Sequence, residues 1–130
     1  MFTHDDIFRP LALAVIIDNK VRDPELQEFC EQAAALCTLF DLTQVTQREA
    51  MAWFQENEAK IEESLKSKGK NTVVLRALSR FSDDVHVENI YDAMVSISVS
   101  DQEYKREESD LIKSAATIWG FNRPPIKVVD

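Results

Sequence analysis

Glycine is almost missing from this chain: Gly69 and Gly120 are the only two among 130 residues, with four prolines beside them. All-β domains place both residues at many short turns, so the scarcity points to helices. Two isolated glycines also exclude a glycine-rich loop that cradles phosphates. Cysteine is nearly as scarce. Cys30 and Cys37 are two helical turns apart, about 10 Å along an axis, beyond the ~7 Å reach of a disulfide. They are expected to be reduced core residues, and no partner set gives them a metal role. Long apolar runs are lacking too, for nothing approaches the ~20 residues of a membrane span. The longest, Leu11 to Ile17, follows Asp5, Asp6 and Arg9 instead of a cationic start, so no secretory leader is expected and the cytosol is the expected location. Basic residues are outnumbered 15 to 23, giving a net charge of −8. No nucleic-acid footprint is expected from that balance, because neutralising phosphates takes an excess of Lys and Arg.

What is present suits one soluble globular domain. Hydrophobic residues make up 45% of the chain, including seven Phe and two Trp, which is ample for a core. Helical periodicity runs nearly end to end. Ile7, Leu11, Ala14 and Ile17 form a first stripe, with Pro10 kinking that helix or marking its start. Asp23-Pro24-Glu25 predicts a second helix with Asp23 as its cap, carrying Leu26, Phe29, Cys30, Ala33, Leu36, Cys37 and Phe40. Thr46 to Glu49 fits a capping box for a third, bearing Ala50, Trp53, Phe54, Ile61 and Leu65 and ending at Gly69. Asn71 or Thr72 is the expected cap of a fourth, with Val73, Val74, Ala77, Leu78 and Phe81. Ser82-Asp83-Asp84 precedes a fifth with Val87, Ile90, Met94 and Ile97, and a last helix covers about Arg106 to Trp119. Ser96 to Ser100 alternates like a strand, but one strand has no partner here, so it is read as the end of the fifth helix. Residues 121–130, with Pro124-Pro125, form a tail.

One internal similarity stands out. Asp18 to Glu25 and Asp101 to Glu108 both read Asp, six residues, Glu, and both ends recur at an offset of 83 residues. Apolar positions follow at the same offset: Ile7 with Ile90, Leu11 with Met94, Ala14 with Ile97, Phe29 with Ile112. The sequence therefore predicts an all-α single domain of about six or seven helices. Two pseudo-symmetric helix-loop-helix units would flank a central helix pair.

This pattern resembles the TerB family, the tellurite-resistance-associated helical domain also found fused to J-domain co-chaperones. The resemblance rests on Ala14-Val15-Ile16-Ile17-Asp18-Asn19-Lys20-Val21-Arg22-Asp23-Pro24-Glu25 and, more weakly, on Val99 to Glu108. Asn19 and Gln102 stand where the family prefers glycine, and Lys105 and Arg106 where it prefers a helix cap. The resemblance implies a helical fold and a cytosolic binding or adaptor module in a stress-response setting.

Carboxylates are what hard cations require, and Ca²⁺ takes six to eight oxygens. If the two loops adjoin, Asp18, Glu25, Asp101 and Glu108 could hold a divalent ion, Ca²⁺ or Mg²⁺. The competing reading is structural: Asp starts turns, and Glu in a first turn complements the helix dipole. His4 and His86 lack the spacing of a zinc site. Lys66, Lys68, Lys70, Arg76 and Arg80 form a basic run that could receive phosphate or an acidic partner, although cations at a helix end need no ligand. Trp53-Phe54 and Trp119-Gly120-Phe121 read as packing. No nucleophile with a paired base is present, so no enzyme is expected. A protein-interaction module without metal is the alternative, with the protein partner unknown and a homodimer compatible with the pattern.

Overall fold

The apolar run Leu11 to Ile17 leaves no wet face on its helix, and that one fact organises the molecule. In the computed structural model, which describes residues 2–18, 20–100 and 106–120, α1 (His4–Ile16) is buried at every position from Pro10 onward. A helix apolar all round must be enclosed by others. It packs against α2 (Asp23–Leu39), α3 (Gln47–Lys68), α4 (Lys70–Leu78) and α5 (Asp84–Val99), while α6 (Arg106–Trp119) lies on α4 and α5. The expected apolar stripe of α1 is thus a whole buried surface. The fold is all-α, with six helices and no strand among the described residues.

Local chemistry explains most boundaries. Thr3 caps α1 in a complete capping box with Asp6, and Pro10 stays inside the helix at the loss of one backbone bond. Thr46 and Glu49 make the same reciprocal box on α3. Asp83 accepts from the Val85 and His86 amides at the start of α5. α2 ends because Asp41 turns left-handed at φ 55°, letting the Leu42 amide reach the Cys37 carbonyl at 2.9 Å. Two expected caps are corrected. Asp23 is already helical, and Arg22 holds the cap position of α2 with no side-chain bond. Likewise α4 begins at Lys70 behind Gly69, whose φ of 87° breaks the chain sharply, so neither Asn71 nor Thr72 is the cap. Ser96 to Val99 stays helical, as expected for a segment with no strand to pair with.

Two aromatic clusters fix the helices on one another. Phe8, Phe29, Trp53 and Phe54 join α1, α2 and α3, with ring centroids 5.4 Å apart for Phe8–Trp53 and for Phe29–Phe54. Phe2, Phe40, Phe81 and His86 gather at the other end of α2, with Phe40 and His86 4.3 Å apart. Each such ring pair contributes about 1 kcal/mol beyond its buried area. His86 is therefore a packing residue.

Candidate functional site

The internal similarity survives in three dimensions as a register of helix boundaries. Eighty-three residues separate the end of α1, Ile16, from the end of α5, Val99; the same number separates the start of α2, Asp23, from the start of α6, Arg106. Glu25 and Glu108 are each the third residue of their helix, and both are fully buried. A carboxylate that served only the helix dipole could stay wet at that position, whereas burying one demands compensation. The two units also meet. Ile17, at the end of α1, lines one small recess with Lys70 of α4 and with Glu107 and Leu111 of α6. The first acidic loop thus starts beside the helix that carries Glu108.

Within that loop the compensating charge comes from the chain itself. Asp18 Oδ1 accepts the Lys20 amide at 3.0 Å, the turn-forming bond expected of an Asp. Its Oδ2 accepts from Arg22 Nη1 at 2.5 Å, and the same nitrogen is 3.6 Å from Glu25 Oε1. Asp18 is 4% exposed and Arg22 only 20%. A guanidinium lies where a bound cation would have to compete. Sequence reasoning missed Arg22, although its spacing of four from Asp18 and three from Glu25 was visible. Asp101 falls outside the described residues. Among the described residues no three His, Cys, Asp or Glu side chains converge in a way that could hold a metal.

Ser98, the penultimate residue of α5, is a second residue the sequence did not flag. Its hydroxyl is fully buried and makes no hydrogen bond among the described residues. The corresponding position in the first unit is Val15, which fills the same kind of place without a polar atom.

The remaining candidates resolve into structure. His4 Nε2 is 2.8 Å from the Thr43 carbonyl and far in role from any metal cluster. Trp53 Nε1 donates to Asp5 Oδ1 at 2.7 Å, and Trp119 Nε1 to the Leu78 carbonyl at 3.0 Å, so both indoles act as packing residues with a satisfied tip. Cys30 and Cys37 are free and buried. Burial raises both thiols, helped at Cys30 by the Glu31 charge and only partly offset at Cys37 by backbone hydrogen bonds.

The surface adds one apolar feature. Leu75 is 54% and Ile118 36% exposed, and both line a single groove of about 600 Å³ between α4 and α6, with Val74 at its side and Asp110 and Lys113 on its rim. No described helix is long and apolar enough to cross a membrane. Compared with known proteins, the chain finds no match: no protein-family model fits it, and no curated protein or solved structure is significantly similar to it.

Proposed function

We propose that the chain is a non-enzymatic binding module, a cytosolic helical adaptor of the TerB type. In this reading the first acidic loop braces its own helices, and a protein partner is engaged at the groove between α4 and α6. The groove is the observation that carries the proposal. Scattered exposed apolar residues need no explanation. Leu75 and Ile118 come from different helices and line one concavity whose rim offers both signs of charge. That arrangement suits the apolar face of an amphipathic helix from a partner protein. A photo-crosslinking residue placed at 75 or 118 should trap the same discrete adduct, while one at the exposed but separate Val85 should not. Equal adduct patterns from all three positions, or none from any, would end the adaptor reading.

The cation reading stands second because one observation favours it: Glu25 and Glu108, at matching positions, are both fully buried. Asp18 and Asp101 would complete that site. Arg22 weighs against it, since a guanidinium already faces two of the four carboxylates. Thermal unfolding with millimolar Ca²⁺ or Mg²⁺ separates the readings. A metal site predicts a rise in Tm that Asp18→Asn and Asp101→Asn abolish, worth about 2.7 kcal/mol at one hundred times the dissociation constant. The brace predicts no cation effect on the wild type and a loss of about 1 kcal/mol in Asp18→Asn.

A further inference from the structure

A chain with a net charge of −8 nevertheless gathers four cations around one recess. The recess, of about 310 Å³, lies where α1, the end of α3 and α4 meet; Arg9, Lys68, Arg76 and Arg80 line it, with Asp6 as the one carboxylate among the described lining residues. That volume is at the small end of what binding sites for small molecules enclose.

The two carboxylates of α1 beside these cations are already engaged, and only one of them pairs with a cation of the recess. Asp5, one helical turn from Arg9, accepts the Trp53 indole N–H. Asp6 accepts the Thr3 amide and the Arg80 guanidinium, the latter at 3.0 Å. Among the described residues, Arg9, Lys68 and Arg76 have no carboxylate within the 4.0 Å of an ion pair. Lys68 and Arg76 stand in the last turns of α3 and α4, where the helix dipole alone favours a cation. Arg9 has no such excuse. It sits inside α1, half-buried, and still faces the other three. Val73 and Ala77, both nearly buried, also line the recess, and their apolar surface strengthens any charge interaction there. Four cations against one carboxylate leave a local excess that an anion would relieve.

We propose that this recess binds a small, multiply charged phosphate compound, with Arg9, Lys68 and Arg76 as its ligands and Arg80 held in place by Asp6. Guanidinium forks match phosphoryl oxygens two at a time, and Lys68 adds a point charge. The Ser64 hydroxyl, also in the lining, can donate one more bond. Among the described residues no aromatic side chain lines the recess, so they supply no platform on which a nucleobase would stack. The recognised chemistry is adjacent phosphoryl groups on a soluble molecule.

Titration calorimetry of the full chain with inorganic pyrophosphate tests this site. Binding is expected in the wild type, weakening as salt rises. Arg9→Gln and Arg76→Gln should each bind about tenfold more weakly, the loss of one charge-assisted contact. Arg48→Gln, which removes the same charge from the exposed opposite end of α3, about 30 Å from Lys68, should bind like the wild type. Citrate, a polyanion without phosphoryl geometry, should bind more weakly than pyrophosphate. The proposal is overturned by no binding at millimolar pyrophosphate, by equal losses in Arg48→Gln, or by citrate binding equally well. Sedimentation with phosphatidylcholine vesicles containing phosphatidic acid, without any response to pyrophosphate, would also overturn it and assign the recess to a membrane headgroup.

Discussion

Replacing Arg22 by Met keeps the length of the side chain and removes a cation that faces two buried carboxylates. Arg22 Nη1 is 3.6 Å from Glu25 Oε1, and at an effective dielectric constant of about 20 that attraction is about 5 kcal/mol. The contact to Asp18 at 2.5 Å adds to it. Desolvation of the three groups offsets much of this, so the expected loss on breaking the cluster is about 3 kcal/mol. For a chain of this size such a loss lowers Tm by about 10 °C. Urea denaturation followed by far-UV circular dichroism measures it directly. A second variant identifies the cause: Arg22→Met/Glu25→Gln removes one of the stranded charges and should recover part of the loss, giving a coupling energy above about 0.5 kcal/mol. If Arg22→Met unfolds within about 0.5 kcal/mol of the wild type, the buried cluster is not the brace described here.

Asp6→Ala should cost about 1 kcal/mol at neutral pH through the capping box, with little from Arg80, which is 55% exposed and screened. Burial raises the Asp6 carboxyl, but the Thr3 amide and Arg80 outweigh it and hold the group below its ordinary 3.8. A depressed folded value means the contribution is full above about pH 4 and fades as pH falls through that folded value, so the gap between wild type and variant should narrow in acid melts. A gap that widens on acidification would contradict the assignment. Ser98→Ala removes a buried hydroxyl that has no hydrogen-bond partner among the described residues, so it should be neutral or stabilising by up to about 1 kcal/mol; a clear loss in a denaturant melt would mean that the hydroxyl has a role. Cys30 and Cys37, buried and with raised thiols, should resist thiol reagents until denaturant is added; rapid labelling of both in the native protein would contradict their burial.

The helices themselves were legible because their signals are local. The Thr46 capping box, the stop at Gly69 and the apolar spacing of α5 all act within a turn or two of the chain, and the structure keeps them. The misses were local as well, and instructive. Thr3 was overlooked because its partner is Asp6, where the usual box has Glu or Gln. Asp23 looked like a cap because it precedes Pro24, yet the chain turned helical one residue earlier.

Sequence alone thus determined that the chain is helical, that it carries an 83-residue internal register, and that Glu25 and Glu108 are equivalent positions. Those properties depend on residue spacing, which is a one-dimensional quantity. Only the tertiary structure decided which charges are compensated. Asp18, Arg22 and Glu25 meet because the turn after α1 folds the guanidinium back over both carboxylates. Arg9 is joined by Lys68 and Arg76 from far along the chain because α3 and α4 both pack on α1. Electrostatic energy falls off with distance through space and rises with burial, and neither can be read from position along a chain.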